Sequence, residues 1–473
     1  MGINGFQQYL KKKYPQSFSY KWSITYDNLY IDLNYVLHNV SYLLDDVDEI
    51  IKKTLDYIKN VIISIKPQKR IIIMADGLAP LAKMILQRKR RINSMNRHNI
   101  DLNFTVGTKF MLVLEKCIID FCEQVKQKYD LTYIIDIKGI GEGEVKIKYN
   151  LNILHNENIN DTHIVYSSDS DVILLLITCV NPNKIYQKIN KMEILHYGTL
   201  YDKHIEDNGN TVSSKYDFVF FNLLMGNDYL PKIYYLTFDK IWSSYKKVSY
   251  LYPNGIISNF DKNNLTIDID FITAVIHNIM KVMRKNMYSL FDYKQFCDKS
   301  YPKYVEGLLW CMTMYSLGYC HDNTYIYEKN TYLHIMGLMY AITFRNSYNI
   351  VKSIDLNPDC CSILLLPIQF KHLLKKEQIL IADKLNDLYP IIYEESNCLK
   401  CKTLMENVNI EDIDINVLKY ETNEHKKTHK KLKYLLIQEI SNKYVELLKD
   451  VVFEEDIIVV PKYSLNKVQR KLF

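Results

Sequence analysis

The sequence has no hydrophobic run long enough to cross a membrane. Its longest apolar run, Val172 to Val180, is far shorter than the roughly 20 residues that a transmembrane helix needs. The N-terminal segment MGINGFQQYLKKKYP lacks the apolar centre of a secretory signal peptide, and Phe6 departs from the myristoylation pattern. These absences predict a soluble, intracellular protein, and we expect it in the cytoplasm.

The cysteines form neither a disulfide framework nor a repeated zinc motif. There are ten of them, and Cys398 and Cys401 make a single CxxC with no second pair and no nearby pair of histidines. Net charge is also small, because 60 Lys and Arg are nearly balanced by 54 Asp and Glu. The total charge therefore does not indicate nucleic-acid binding, and any such argument depends on where the charges lie.

The stretch from Ile71 to Arg91 joins a carboxylate to a row of basic side chains. Its continuous apolar start is typical of a parallel strand buried on both faces, and Asp76 follows directly. On the helix predicted next, four side chains spaced at i, i+4, i+7 and i+8 share one face: Lys83, Gln87, Arg90 and Arg91. Taken alone, this face also matches a solvated basic helix surface.

Carboxylates recur beside other predicted strands. The strands Leu29–Leu33 and His163–Ser168 end beside acids, and Leu131–Ile137 runs into an acidic loop, Gly139–Lys146. Asp169 and Asp171, two apart in an extended segment, are expected to project on the same side. The acids placed at predicted strand ends or loops are Asp32, Asp76, Glu142, Glu144, Asp169, Asp171 and Asp228.

Strands alternate with helices over about 230 residues, which predicts an α/β fold with a mostly parallel central sheet flanked by helices. In such sheets ligands bind at the carboxyl ends of the strands, where these acids fall. We predict an N-terminal domain with this sheet over residues 1–235, a mainly helical second region over 236–396 and a polar C-terminal extension of unknown role over 397–473.

The acids suggest a metal site. Carboxylates grouped in one pocket repel one another at neutral pH unless cations neutralise them. Mg²⁺ or Mn²⁺, hard ions that prefer oxygen ligands, are the expected cofactors, and the number of acids favours two ions over one. A pair of ions roughly 3.5–4 Å apart activates water and stabilises the leaving oxygen in phosphodiester cleavage.

The motifs resemble one nuclease family in sequence and in order. They are MGINGFQQYLKKKYP, DNLYIDLNYVLHN, MADGLAPLAKMILQRKRR, GTKFM, GEGEVKI, SSDSDVILL and DFVFFNLLMGNDYLPKI, followed by YVEGLLWCMTMYSLGY, LLPIQF and DLYP of a second conserved region. Together they span most of residues 1–393, and over this length the chain resembles Xrn-type 5′→3′ exoribonucleases. The resemblance implies a PIN/flap-nuclease-like fold and a compact form without the additional C-terminal domains of the large members.

The resemblance also implies roles for single residues. The seven acids match the family's catalytic metal ligands, and Lys83, Gln87, Arg90 and Arg91 match its pocket for a 5′-monophosphate. His38 matches a residue that stacks on the leading base. The tryptophan that completes this base sandwich is missing from the corresponding stretch, Cys320–Tyr327, where Tyr325 is the expected substitute.

The sequence thus predicts a divalent-metal-dependent 5′→3′ exoribonuclease that degrades 5′-monophosphorylated, decapped single-stranded RNA to mononucleotides. We expect a monomer that acts in mRNA decay, with decapping factors as partners; its compact size and biased composition are compatible with a viral or parasite origin. Two alternatives stay open: a flap-type, structure-specific DNA nuclease and a catalytically inactive RNA-binding scaffold. The second conserved region argues against the first, and the complete set of acids argues against the second.

Overall fold

A computed structural model describes most of residues 2–380. The residues left out of this range are Leu43, Asp45, 95–98, Lys191, 262–263, 284–299, Thr324, 328–332, 345–346, 351–358, Pro367 and Glu377. The predicted extension over 397–473 and the DLYP motif lie outside the described residues. No helix among those described is both long and apolar enough to span a bilayer.

A seven-stranded sheet forms the centre of the N-terminal part, in the order β1-β7-β6-β5-β2-β3-β4. Its strands are β1 (Phe18–Ser19), β2 (Asn28–Asp32), β3 (Arg70–Met74), β4 (Thr132–Asp136), β5 (His163–Tyr166), β6 (Ile185–Lys188) and β7 (Ile194–His196). Five neighbouring strands, β6 to β4 in this order, are parallel. At the β1 edge of the sheet, β7 runs antiparallel to β6, and β1 runs antiparallel to β7. The predicted α/β class with a mostly parallel sheet is therefore confirmed.

The central strands are buried on both faces, as the apolar runs predict. In β3, Ile72 and Met74 pack into one hydrophobic cluster, while Ile71 and Ile73 pack into a second cluster across the sheet. Alternate residues of a strand point to opposite faces, so a strand covered on both sides needs apolar residues at every position. The parallel register sets Asp32 level with Met74, which brings the carboxyl ends of β2 and β3 together.

Helices cover both faces of this sheet and continue into the second region. They are α1 (Phe6–Lys13), α2 (Leu33–Ser41), α3 (Val47–Ile65), α4 (Leu81–Ser94), α5 (Lys109–Tyr129), α6 (Gly143–Glu157), α7 (Asp171–Ile177), α8 (Tyr197–Asn208), α9 (Ser214–Leu223), α10 (Phe238–Lys246), α11 (Ile269–Met283), α12 (Ser300–Leu317), α13 (Ile335–Phe344) and α14 (Asp359–Leu365). The buried side chains of α2, α3 and α5 cover one face, and those of α1, α6, α7 and α9 cover the other.

The second region shares its core with the first. It contains an antiparallel sheet of β8 (Ile257–Phe260), β9 (Asn264–Ile267) and β10 (Ser347–Asn349), in the order β10-β9-β8. One hydrophobic cluster runs from Ile3 through α12 to Tyr348. The change to mainly helical structure is present, but because this core crosses residues 235 and 236, the division into separate domains stays a prediction.

Two local expectations about the acids were wrong. Residues 139–146 are not a loop throughout, because α6 begins at Gly143 and places Glu144 in its first turn. Asp171 is the first residue of α7 rather than part of an extended segment. In both cases an acid lies at a helix N-terminus, where unpaired backbone N–H groups favour negative charge.

His155, on α6, is a buried histidine. Neither of its ring nitrogens has a hydrogen-bond partner among the described residues, and its ring meets the His163 ring edge-on at 5.7 Å. Burial lowers the pKa of His155 below its usual value. In the unfolded chain this ring binds a proton more readily, so its contribution to stability is lost as the pH falls through the unfolded pKa.

We therefore predict that His155→Leu gains stability relative to the wild type as the pH is lowered. Leucine fills a similar volume and cannot bind a proton, so the gain should grow by up to about 1 kcal/mol between roughly pH 7.5 and 5.5. Urea unfolding at both pH values measures this difference. His277→Leu is the control, because His277 is exposed on α11. A His155→Leu gain that is the same at both pH values would contradict the prediction.

Candidate active site

The structure brings all seven predicted acids to the carboxyl end of the sheet. We call them the acid cluster: Asp32 at the end of β2, Asp76 after β3, Glu142 and Glu144 at the start of α6, Asp169 and Asp171 between β5 and α7, and Asp228 after α9. Each of them interacts electrostatically with at least one other member. Strand ends and helix starts therefore gather acids from separate parts of the sequence.

Backbone and hydroxyl groups fix the first two acids of the cluster. Asp32 caps α2 by accepting the N–H of Tyr35 at 3.2 Å, and its second oxygen accepts the Ser167 hydroxyl at 2.9 Å. Asp76 accepts the N–H of Gly143 at 2.9 Å. These donors come from α2, the segment after β5, and α6, so the orientation of the two carboxylates depends on elements that pack on either side of β2 and β3.

The N-terminal segment lies directly against the Asp169–Asp171 loop. The Ile3 N–H donates to Asp171 Oδ1 at 3.0 Å, and the Asp171 N–H donates to Asp169 Oδ1 at 3.1 Å. Gly2 has φ +84, and a Cβ there would come within 2.4 Å of Ser170 Oγ and 2.6 Å of both carboxylates. Only glycine fits this contact. The sequence predictions missed both Gly2 and Ile3; the MGIN start was the available signal.

Lys83 is the cation at the centre of the acid cluster. Its side chain is almost fully buried, with Nζ 2.5 Å from Glu142 Oε2 and 2.9 Å from Asp228 Oδ2. Burial favours the neutral amine, but Glu142 and the other acids outweigh it and raise the pKa of Lys83 well above its usual value. Burial likewise favours a neutral Asp228, yet Lys83 and Arg90 lower the pKa of this carboxyl. The Lys83–Asp228 pair is therefore fully ionised.

Other members of the acid cluster resist ionisation. Burial, reinforced by Asp76, raises the pKa of Asp32 to about 7. Burial and the neighbouring Asp169 raise the pKa of Asp171 to about 8. Burial, with Glu142 next to it, raises the pKa of Glu144 well above its usual value. These shifts share two causes: burial, which is the larger, and the negative charge of neighbouring acids.

The predicted phosphate-binding face of α4 points toward the acid cluster. Lys83 and Gln87 are 7% and 9% exposed, and Arg90 and Arg91 are partly buried. An Arg90 nitrogen lies 3.1 Å from Asp228 Oδ1, and the Arg91 Nε–H donates to Thr105 Oγ1 at 2.8 Å. Thus Lys83 and Arg90 touch the cluster directly, while Arg91 is held against the segment that follows α4.

His38 lies on α2 with an accessible ring. Its side chain is 47% exposed, with Nδ1 3.6 Å from Asp101 Oδ1 and its ring edge-on to Phe104 at 5.8 Å. The Asp101 carboxylate raises the pKa of His38 above its usual value. The exposed ring is compatible with the predicted stacking on a base, and this role stays a prediction.

Tyr325, the other expected base-stacking residue, lies in the core. Its ring is 1% exposed, stacks on Trp310 with centroids 4.8 Å apart, and its hydroxyl donates to the Lys303 carbonyl at 2.9 Å. An enclosed ring has no free face for a base. We therefore do not retain the base-stacking role for Tyr325.

The acid cluster fits a divalent ion by ligand type and by charge. Its ligands are carboxylate oxygens, and their mutual repulsion is the kind of strain that a bound cation relieves. Among the described residues, no three Asp, Glu, His or Cys side chains are arranged to enclose an ion. Lys83 forms ion pairs with both Glu142 and Asp228.

Known proteins resemble a part of the chain that contains six of the seven acids, all except Asp228. Residues 1–103 and 97–186 match the family model described as XRN 5′-3′ exonuclease N-terminus. The chain is 26% identical over 333 residues to 5′-3′ exoribonuclease 1 of Saccharomyces cerevisiae, covering 56% of this chain and 22% of that protein. With 5′-3′ exoribonuclease 1 of Schizosaccharomyces pombe the identity is 25% over 331 residues, covering 54% and 25%.

The chain thus spans a quarter or less of the length of these relatives. Among solved structures, it is similar to the catalytic core of Rad2 in complex with DNA substrate, with a TM-score of 0.37 and 13% identity over 72% of this chain and 94% of that chain. The family match and the two relatives confirm the similarity that the motifs predicted: this chain resembles the Xrn-type 5′→3′ exoribonucleases.

Proposed function

We propose that this protein is a metal-dependent 5′→3′ exoribonuclease acting on single-stranded RNA with a 5′-monophosphate. The observation that carries the proposal is the contact between α4 and the acid cluster. Lys83 and Arg90, which lie on the predicted phosphate-binding face, both pair with Asp228. Cations suited to a terminal phosphate and acids suited to a metal therefore belong to one site.

The seven acids of the cluster are the residues that would hold the metal ions. When bound, divalent ions supply a hydroxide-like nucleophile and neutralise the leaving oxygen. The chain itself orients the carboxylates through the donors of Tyr35, Ser167 and Gly143. Lys83 stays protonated and adds positive charge where the phosphodiester would lie.

The face of α4 supports selection of the 5′ end. A terminal phosphate monoester carries more charge than an internal diester, so clustered Lys and Arg side chains favour it through charge-assisted hydrogen bonds. A short distance between this end and the acid cluster would release one nucleotide at a time. The exposed His38 ring offers a stacking surface that is indifferent to base identity. These features suit decapped mRNA in the cytoplasm, where decapping factors would supply the 5′-monophosphate.

The first prediction concerns the substrate and the acids. Purified protein with Mg²⁺ should degrade 5′-monophosphorylated RNA from its 5′ end in preference to 5′-triphosphorylated RNA or a DNA flap. Replacing Asp169 and Asp171 together by Ala should lower this activity by about 100-fold or more, because it removes two proposed ligands. Mononucleotide release from end-labelled substrates measures both effects. Preferred cleavage of the DNA flap would favour the flap-nuclease alternative, and a fully active double variant would show that the acids are misassigned.

The second prediction concerns 5′-end discrimination. Replacing Arg90 and Arg91 together by Ala should reduce the preference for 5′-monophosphorylated over 5′-hydroxyl RNA by about 10–100-fold, the value of one or two hydrogen bonds to a charged group. Competition between the two RNAs in one reaction measures the preference. Lys109 and Lys371 provide a control, since both are basic residues outside this face of α4. An equal loss on both RNAs would mean that the pair supports the fold or general RNA binding instead.

The third prediction concerns stability and pH. The folded pKa of Asp171 lies above its unfolded value, so its contribution to stability is lost as the pH rises through about 8. An asparagine side chain cannot ionise, and Asp171→Asn should become more stable than the wild type by about 1–3 kcal/mol near pH 8.5 in metal-free buffer. Millimolar Mg²⁺ should remove this advantage by stabilising the wild type.

Asp217→Asn is the matched control for this experiment. Asp217 is also buried, but its carboxylate accepts hydrogen bonds from Thr211, Ser213, Tyr245 and the Ile256 N–H. Burial raises the pKa of Asp217 to about 6, so this group is ionised near pH 8.5. Replacing an oxygen that accepts these bonds by an amide NH₂ should therefore make Asp217→Asn less stable than the wild type at that pH. Urea unfolding across the pH range distinguishes the two variants. An Asp171→Asn variant that is less stable than the wild type at high pH would contradict the repulsion described for the acid cluster.

A further inference from the structure

Tyr229, next to Asp228, contacts the acid cluster although it is not an acid. Its phenol is 4% exposed, and its hydroxyl donates a hydrogen bond to Glu142 Oε1. The other oxygen of Glu142 lies 2.5 Å from Lys83 Nζ. Tyr229 and Lys83 therefore hold the two oxygens of one buried carboxylate from two different elements.

Helix α12 supports the ring of Tyr229. Trp310 meets this ring edge-on, with centroids 5.1 Å apart, and also stacks on Tyr325 at 4.8 Å. The Trp310 Nε1–H donates to the Asp322 carbonyl at 3.0 Å. Three buried aromatic rings in contact thus extend from Glu142 into the second region, and Tyr325 is the last of them.

The backbone around Tyr229 is tied to the same helix. Asn227 Oδ1 accepts the Tyr229 N–H at 3.0 Å, and the Asn227 amide donates to the Tyr315 hydroxyl at 3.2 Å. The Tyr304 hydroxyl donates to the Pro231 carbonyl at 3.2 Å. Tyr304 and Tyr315 belong to α12, so this helix fixes both the ring and the turn that carries it.

We propose that Tyr229 is a positioning residue that holds the Glu142 carboxylate in the acid cluster, and that α12 fixes Tyr229 through Trp310. The inference rests on the proposed function, because it takes Glu142 as one of the metal-holding acids. It adds a dependence that the sequence motifs did not indicate. The orientation of an acid in the nuclease region is set by a helix of the second region.

A hydroxyl in this position should affect metal binding as well as folding. A carboxylate that must bind an ion benefits from a partner that limits its rotation, and loss of such a partner typically costs about 10–100-fold in metal affinity. Phenylalanine keeps the ring and its contact with Trp310. The change Tyr229→Phe therefore removes the hydrogen bond and leaves the packing.

The chain offers a matched control at Tyr245. Its hydroxyl donates to Asp217 Oδ2 at 2.6 Å, so this pair is also a buried tyrosine bonded to a buried carboxylate. Asp217 lies on α9, accepts hydrogen bonds from the Thr211 and Ser213 hydroxyls, and is not part of the acid cluster. Tyr245→Phe removes the same kind of bond at a place where only the fold depends on it.

The test measures how divalent ions protect the 473-residue chain from thermal unfolding, with Mn²⁺ and Mg²⁺ titrated against wild type, Tyr229→Phe and Tyr245→Phe. Binding to the folded state raises the unfolding temperature in a concentration-dependent way. We expect Tyr229→Phe to need about 10-fold more metal for half-maximal protection, and its metal-free unfolding temperature should fall about as much as that of Tyr245→Phe, because each variant loses one hydrogen bond to a buried carboxylate. Tyr245→Phe should unfold at a lower temperature with an unchanged metal midpoint.

Several results would overturn the inference. They are an unchanged metal midpoint in Tyr229→Phe, an equal shift in Tyr245→Phe, and a wild type that divalent ions do not protect. A Trp310→Phe variant tests whether α12 acts through Trp310. If Trp310 and Tyr229 act through one contact, the double variant should shift the metal midpoint by less than the sum of the two single shifts. Additive shifts would exclude the link through Trp310.

RNA degradation measured on the same samples separates this inference from the proposed function. If wild type binds metal and Tyr229→Phe weakens that binding while no RNA is degraded, the positioning role is supported and the proposed function is wrong. If wild type degrades 5′-monophosphorylated RNA and Tyr229→Phe has the wild-type metal midpoint, the proposed function stands and the positioning role is wrong.

Discussion

Repulsion among the carboxylates at the carboxyl end of the sheet is the constraint on which the rest of this structure depends. Burial and neighbouring acids raise the pKa of Asp32 and Asp171, so the cluster opposes its own ionisation. The fold keeps the acids together with backbone donors and with Lys83, whose ammonium bridges Glu142 and Asp228. A site of this kind is held by the surrounding architecture and costs stability, as functional sites often do.

That architecture extends beyond the sheet. The hydrophobic cluster on one face continues from the N-terminal helix through α12, and the rings of Trp310 and Tyr229 connect this core to Glu142. The mainly helical second region, which the motifs separate from the N-terminal region, thus packs against it as part of the same core. Trp310 and Tyr325 are buried, so these rings can act on the site only through packing, by the contact of Trp310 with Tyr229.

The sequence predicted what short-range patterns encode. The apolar run before Asp76 identified β3, and the spacing of Lys83, Gln87 and Arg90 identified one face of α4. The two-residue strand β1 and the antiparallel edge were not predicted, because edge pairing depends on distant partners rather than on local periodicity. The same limit applies to Tyr325, since nothing in its local sequence distinguishes a ring packed on Trp310 from one open to a base.

The contact between Ile3 and Asp171 has a consequence for how the protein folds. This hydrogen bond joins residues 168 positions apart, and the support of Tyr229 by Trp310 requires a still later part of the chain. Contacts of long sequence separation form slowly, since the entropy of closing the intervening chain must be lost before they contribute. During synthesis, the sheet can form while the acid cluster is still incomplete. The proposed support of Glu142 by Tyr229 and Trp310 is therefore possible only after α12 has been synthesised.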